Sequence, residues 1–254
     1  MALRGKSLDR GLSDHPALEF RGVSYRINGS LILDNLSFGI EPSRTLVLLG
    51  RSGSGKTTAL KMVNGLLVPT SGQVLVGSRA TSDWDLIELR RSIGYVIQEV
   101  GLFPHFTIGE NVGLVPRLNG WPPDRITARV AELLAQVGLD PAHFLNRYPR
   151  ELSGGQRQRV GVARALAAEP KLLLFDEPFG ALDPVTRIEL QDQFLELRDR
   201  LQITSIFVTH DVREALRLCS EIALLHCGRL EVLAKPAEFL NSNGPEARAF
   251  LATL

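Results

Sequence analysis

Residues 45–67, TLVLLGRSGSGKTTALKMVNGLL, restrict what the chain folds into more than any other stretch. A short apolar strand at 45–49 runs straight into Gly50-Arg51-Ser52-Gly53-Ser54-Gly55-Lys56-Thr57-Thr58, and Leu60, Val63, Asn64 and Leu67 follow at helical spacing over 56–67. The loop fits GxxxxGK(S/T). Strand, glycine loop and helix in that order turn several consecutive backbone N–H groups inward, which demands backbone angles that side chains forbid. A phosphate group is the ligand for such a cradle. Lys56 adds a point charge suited to β- and γ-phosphates, Thr57 offers a hydroxyl to Mg²⁺, and the helix starting there aims its positive dipole end at the anion.

Two further stretches carry chemistry. In Leu172-Leu173-Leu174-Phe175-Asp176-Glu177 a buried-strand pattern ends on two carboxylates, at the edge of an open α/β sheet where ligands bind. Asp176 is suited to hold a metal, and Glu177 to orient and deprotonate an attacking water. Taken alone, such a pair is more often a helix cap; downstream of a phosphate loop it reads as catalytic. Leu152-Ser153-Gly154-Gly155-Gln156, at a helix start, combines a hydroxyl, two flexible glycines and free helix N–H groups. This is a second anion nest, yet one nucleotide needs only one phosphate loop.

The rest of the chain reads as an α/β fold. LEFRGVSYRI and LILDNLSFGI flank Asn28-Gly29, a strong hairpin signal. A strand over 73–76, a helix over about 82–91 with Ser82 as N-cap, and a strand over 93–97 come next. Between Gln98 and Glu151 the patterns over 107–118 and 123–137 are amphipathic helices, a helical insert. A helix over 156–168, a strand over 172–176, a helix over about 184–200, a strand over 204–209, a helix to about 218 and a final strand pair complete it. Strands alternating with helices imply a mainly parallel sheet with crossover helices.

Composition excludes several classes. The 254 residues suit one large domain or two closely joined ones. With 29 Lys+Arg against 28 Asp+Glu, no global field draws the chain to nucleic acid, and none is expected as a partner. No apolar run approaches the ~20 residues of a membrane-spanning helix, and the N-terminus lacks the apolar core of a secretory signal. Cys219 and Cys227 match neither a zinc pair nor a redox motif, and both are expected as buried thiols of a cytosolic chain. Residues 1–17 are polar and aperiodic, a flexible tail.

GRSGSGKTT, Gln98, LSGGQ, LLLFDE, Ala181-Leu182-Asp183 and His210 occur in the order of the ATP-binding cassette (ABC) ATPases, which the chain resembles over about residues 18–235. The resemblance implies a P-loop NTPase fold of RecA-like type. Its parallel-sheet core carries an antiparallel β subdomain and a helical subdomain at about 98–156, with a short C-terminal helical tail, 236–254, after it. It also implies ATP and Mg²⁺, and a head-to-tail homodimer in which each nucleotide lies between one subunit's phosphate loop and the other's LSGGQ. That accounts for the second nest. By the same resemblance Gln98 reaches the metal and water and links hydrolysis to the helical insert, Asp183 crosses the dimer interface, and His210 senses the γ-phosphate. The family's adenine-stacking aromatic would fall at Ile27; Tyr25 shares that strand face and is either the stacking residue or a core residue. Arg44-Thr45 replaces the family's Gly-Glu, a change without expected effect on the chemistry.

A P-loop kinase or GTPase is the weakest alternative, since those carry no LSGGQ and no NKxD string occurs here. Soluble cassette proteins of ribosomes or DNA repair resemble double cassettes or coiled-coil insertions, neither of which this chain has. The stretch Gln98-Glu99-Val100-Gly101-Leu102-Phe103-Pro104-His105 looks like that of a bacterial importer subunit, peripheral on the cytoplasmic face of the membrane. Permease subunits are expected to dock near Gln98–Phe106, with Leu102, Phe103 and Phe106 as candidates to line a groove for a short helix. An extracytoplasmic solute-binding protein is an indirect partner. IGYVIQEVGLFPHFTIGENV, NRYPRELSGGQRQRVGVARALA and DEPFGALDPVTR look most like the importers of glycine betaine, choline, carnitine or proline. Polar amino acid and methionine importers share much of this. Larger relatives append a regulatory pair of small domains; Pro236–Leu254 is too short for one, so no ionic-strength sensor is expected in this chain.

Overall fold

The computed structural model describes residues 16–254 apart from Glu99 and Ala181, so the expected tail, 1–17, falls almost wholly outside the described residues. β1 (Leu18–Ile27) and β2 (Ser30–Ile40) pair antiparallel through a turn in which Asn28 and Gly29 both take positive φ, 49° and 81°. β3 (Thr45–Leu49) leads through the glycine loop into α1 (Lys56–Val63), which stops short of Leu67 because Gly65 turns left-handed at φ 65°. β4 (Ser71–Val76) and the short β5 (Arg79–Ala80) follow.

Ser82 is not the helix cap. Thr81–Asp83 form a 3₁₀ turn, and Asp85 caps α2 (Leu86–Ser92), accepting the N–H groups of Ile87 and Glu88 at 2.9 Å. A carboxylate that meets two first-turn N–H groups outweighs a hydroxyl that meets none. β6 (Ile93–Val96) then leads to the insert, made of α3 (Ile108–Leu118), α4 (Pro123–Gln136) and a short α5 (Pro141–Phe144), and on to α6 (Gly154–Leu166). β7 (Leu172–Asp176), α7 (Pro184–Leu201), β8 (Thr204–Thr209), α8 (Val212–Leu218), β9 (Glu221–His226), β10 (Arg229–Ala234), α9 (Pro236–Phe239) and α10 (Pro245–Leu251) complete the chain.

Among the described residues the strands form two sheets, β2-β1-β4-β5 and β10-β9-β3-β8-β7-β6. In the larger one β9, β3, β8, β7 and β6 run parallel and β10 closes one edge antiparallel. Its central strands are buried on both faces, which is why TLVLL and TSIFVT read as continuous apolar runs without alternation. The two faces sort into separate cores. Leu46, Leu48, Leu174, Ile206 and Val208 pack with β1, β2 and α1, while Val47, Leu49, Leu173, Phe175 and Phe207 pack with the insert helices, α7 and α8. Phe175 and Phe207 stack at 4.1 Å between centroids, with Phe194 of α7 edge-on to both at 5.1 and 4.6 Å. Phe207→Ala empties the middle of that cluster and is expected to cost about 3–5 kcal/mol, readable as a lowered urea midpoint at unchanged slope. A midpoint within experimental error of the parent would contradict this packing.

The two cysteines separate. Cys219 is half-buried, and burial pushes its thiol pKa up to about 12, whereas Cys227 is exposed on the β9–β10 turn at φ 47°. The expectation of two buried thiols fails for Cys227 because Cys227-Gly228 forms the hairpin turn itself.

Candidate nucleotide site

Because β3, β8, β7 and β6 are parallel neighbours, their carboxyl ends share one sheet edge, and each delivers a motif there. β3 opens into the glycine loop, β7 ends at Asp176-Glu177, β8 at Thr209-His210, and β6 leads to Gln98.

Gly53 and Gly55 take φ of 78° and 100°. A Cβ on Gly55 would lie 2.6 Å from Leu33 Cδ2 and 3.1 Å from the Ile32 carbonyl oxygen, so a side chain is excluded by contact as well as by angle. α1 starts at Lys56 without a side-chain cap, which leaves its first-turn N–H groups for a ligand. Lys56, 5% exposed, folds back across the loop and donates to the carbonyls of Gly50 at 2.7 Å and Arg51 at 2.9 Å. Burial lowers its ammonium pKa below the usual lysine range, against the opposing pull of Glu177 and Asp176. Ser54 Oγ is buried with no hydrogen-bond partner. An orphaned buried hydroxyl costs about 1–3 kcal/mol, and a phosphate oxygen in the cradle would accept from it. The loop therefore fits a phosphate.

Thr57 Oγ1 donates to Asp176 Oδ1 at 2.9 Å, and the Tyr95 hydroxyl donates to Oδ2 at 3.4 Å. A hydroxyl and a carboxylate already in contact are hard oxygen ligands of the kind Mg²⁺ takes. Burial raises the Asp176 pKa above the ordinary carboxylate value, with the hydrogen bond from Thr57 opposing it. A carboxyl whose pKa rises on folding favours the protonated fold, so its contribution to stability falls as pH climbs from the unfolded value through the folded one. At pH 7 Asp176→Asn, which removes the buried charge, is thus expected to raise the Tm of the nucleotide-free chain. A thermal melt checks this, and a lowered Tm would contradict it.

Glu177 sits at φ 46°, a left-handed angle that costs a non-glycine residue about 1–3 kcal/mol, and its N–H donates to the Val208 carbonyl at 3.0 Å. Its Oε2 lies 3.1 Å from His210 Nδ1, with His210 exposed and Glu177 half-buried. Thr209 Oγ1 accepts the Asp211 N–H at 3.1 Å and donates to buried Glu214, so the main chain on both sides of His210 is held.

Ser153 caps α6 in a capping box, accepting the Gln156 N–H at 3.2 Å while Gln156 Oε1 accepts the Ser153 N–H at 2.9 Å. The Ser153 O–H stays available to donate, and no atom lies within 4 Å of where a Cβ on Gly154 would stand. Gly155 faces Thr186 at the start of α7, whose cap Asp183 accepts the Thr186 N–H at 3.0 Å. That bond holds the exposed Asp183 carboxyl below its usual pKa. Among the described residues no hydrogen bond joins Ser153–Gln156 or Asp183 to the phosphate loop of the same chain. Gln98 is exposed and hydrogen-bonds to none of the site residues. Tyr25 is half-buried against the β1–β2 core, while Ile27 is 49% exposed.

Three supporting residues escaped the sequence reading. Tyr95 reaches Asp176 because β6 and β7 are neighbours, a pairing no local pattern announces. Fully buried Asn111 accepts the Phe103 N–H and donates to the carbonyls of Phe103, Phe106 and Thr107, pinning the loop after Gln98. Arg164 of α6 donates to the Val100 and Gly101 carbonyls, each at 2.6 Å, and so ties that loop to the helix begun by LSGGQ.

A family model described as ABC transporter matches residues 33–180. The chain is 50% identical over 218 residues to the osmoprotectant import ATP-binding protein OsmV of Salmonella typhimurium, covering 83% of this chain and 57% of that protein. It is 47% identical to the glycine betaine/carnitine/choline transport ATP-binding protein OpuCA of Bacillus subtilis, covering 86% and 57%. It is also 44% identical to the sulfate/thiosulfate import ATP-binding protein CysA of Bordetella bronchiseptica, covering 87% and 63%. The chain spans little more than half the length of the curated relatives it matches. Among solved structures, CbiO1 of Clostridium perfringens, part of an ABC transporter complex, superposes with a TM-score of 0.83 at 29% identity, covering 89% of this chain and 91% of that one. A dimeric ATP-binding cassette in a post-hydrolysis state with ADP and Pi gives 0.77 at 33%, covering 86% and 98%. A family model over more than half the chain, relatives at up to 50% identity and a shared fold lead to one conclusion: the chain belongs to the ABC transporter family.

Proposed function

We propose that this chain binds and hydrolyses ATP as the nucleotide-binding subunit of a bacterial importer whose solutes are glycine betaine, choline, carnitine or proline. The identity of 44–50% to relatives named for osmoprotectant, glycine betaine, carnitine and choline transport supports the solute class. The sheet edge supports the chemistry. Lys56 leaves the Gly50 and Arg51 carbonyls for the β- and γ-phosphates, and Ser54 and the loop N–H groups take the phosphate oxygens. Thr57, Asp176 and Gln98 hold Mg²⁺, which when bound neutralises charge on the phosphates. Glu177 orients the attacking water and takes its proton, while His210 answers to the γ-phosphate. Adenine lies against the β1 hairpin, over Tyr25 and Ile27.

Two copies pair head to tail. Ser153–Gln156 of one subunit closes on the phosphates held by the other, and Asp183 crosses the interface, which accounts for the lack of any bond from these residues to their own loop. Among the described residues no helix is long and apolar enough to cross a membrane. The subunit sits peripherally on the cytoplasmic face against permease subunits that dock near Gln98–Phe106, where Phe103 is exposed beside Phe106 and His105. An extracytoplasmic solute-binding protein delivers the solute.

The 44% identity to a sulfate/thiosulfate import protein supports a second reading, the same machinery with another small solute. Reconstitution with the membrane subunits and binding protein encoded beside it, with ATP inside the vesicles, separates the two. Uptake of labelled betaine, choline, carnitine or proline supports the first. Uptake of an unrelated solute alone overturns the solute class and leaves the importer role intact.

A further inference from the structure

The C-terminal helices belong to the domain rather than trailing from it. Phe239 and Ala247 are fully buried in the main core, and α10 reaches the phosphate loop through one side chain. Glu246, 6% exposed, accepts a hydrogen bond from Arg51 Nε at 2.5 Å, and its other oxygen lies 3.4 Å from His226 Nδ1. α10 is itself held from β10, where Glu231 Oε1 accepts the N–H groups of Glu246 at 3.0 Å and Ala247 at 3.1 Å. The β9–β10 turn adds a second hold, with the Gly228 N–H donating to the Ser54 carbonyl at 3.2 Å.

Arg51 is the second residue of the loop. Its carbonyl accepts from Lys56 Nζ at 2.9 Å and from the Ser54 N–H at 3.2 Å, so the loop's internal bonds converge on its main chain. One residue therefore links those bonds to a carboxylate buried on the last helix. A carboxylate removed from water needs its cation, which makes the contact two-sided: α10 docks where Arg51 is held, and Arg51 is held where α10 docks. A loop already ordered binds more tightly than one that must be ordered by its ligand.

We propose that Glu246 is a positioning residue of the nucleotide site: through Arg51 it keeps the phosphate loop in its binding shape, so that docking of the C-terminal helix sets the affinity for ATP. The proposal rests on the reading of that loop as an ATP site. Asp176 ends β7, and Glu177 and His210 follow β7 and β8; among the described residues none of the three hydrogen-bonds to Arg51 or Glu246, so the effect falls on binding and not on turnover.

The test measures ATP Kd by titration, and KM and kcat by phosphate release, for the parent chain, Glu246→Ala, Glu246→Gln, Arg51→Ala and the Arg51→Ala/Glu246→Ala double variant, each checked by thermal melting. Glu246→Ala is expected to raise Kd and KM about fivefold or more with kcat within about twofold, the usual scale of coupling between sites. Glu246→Gln, which keeps an acceptor for Arg51, falls between. The double variant binds no more weakly than Arg51→Ala, because Glu246 acts through Arg51. An unchanged Kd in Glu246→Ala overturns the proposal, as does a double variant whose losses add. Should Glu246→Ala fail to fold, Glu246→Gln decides, since it keeps the shape of the side chain and removes the charge that faces Arg51: a parental Kd overturns the proposal, and a raised Kd at unchanged kcat supports it. A parent chain that binds no ATP overturns the nucleotide reading and this proposal together, whereas a binding parent with unaltered variants overturns only the role of Glu246.

Discussion

Glu177→Gln is expected to lower ATP hydrolysis by about 10²–10⁴ while leaving ATP affinity within a few-fold of the parent, the range lost when a positioned general base is removed. The amide keeps the shape of the side chain and can still meet His210 Nδ1, now 3.1 Å from Glu177 Oε2, but it cannot take a proton from water. None of the proposed phosphate contacts runs through it: those are assigned to Lys56, Ser54 and the N–H groups of the loop between β3 and α1. Binding and chemistry are therefore expected to separate, and on the proposed pairing an ATP-bound dimer should accumulate. Titration with ATP, phosphate release and native mass with Mg²⁺ and ATP read the three quantities. Turnover near the parental rate would remove Glu177 from the role of base. Lys56→Ala is the counterpart, with loss of binding itself, because a single buried ammonium supplies the cation inside the loop.

The contrast between these two variants is legible in the sequence because both residues belong to contiguous patterns. A glycine loop between strand and helix, and two carboxylates at a strand end, declare themselves within ten residues, and the parallel sheet then carries them to one edge. The hairpin turn at Asn28-Gly29 is legible for the same reason, since positive φ at both positions selects those residue types. What escapes is whatever depends on a tertiary neighbour. Tyr95 matters only because β6 lies beside β7, Arg164 only because α6 packs under the loop after Gln98, and Glu246 only because the last helix folds back on the first motif. The misplaced α2 start has a local cause. Ser82 and Asp85 both suit a cap, and the choice between them fell to which one the 3₁₀ turn at Thr81–Asp83 left facing free N–H groups. Cys227 is exposed because Cys-Gly can fill a two-residue hairpin turn, a role its residue type does not advertise.

Ser153→Arg is expected to abolish hydrolysis while ATP still binds the phosphate loop of the same chain. Ser153 is exposed at the start of α6, and nothing stands within 4 Å of a Cβ at Gly154 beside it, so the nest opens away from its own core. An arginine there fills that opening and loses the capping hydroxyl, at a cost of about 0.5–2 kcal/mol to the helix end, too little to unfold the domain. On the proposed head-to-tail pairing, the defect lies in closure between subunits. Head-to-tail pairing makes a sharper forecast when Ser153→Arg and Lys56→Ala chains are mixed, each inactive alone. In a mixed pair one composite site joins the intact loop of the Ser153→Arg chain to the intact nest of the Lys56→Ala chain, and the other site carries both lesions. Hydrolysis should return in the mixture, at up to about half the parental rate per pair if the two sites turn over independently. Differently tagged chains, purified through both tags, establish that mixed pairs are present. Purified mixed pairs that remain inactive would contradict the sharing of sites between subunits, while activity of Ser153→Arg on its own would show that the nest has no part in the reaction.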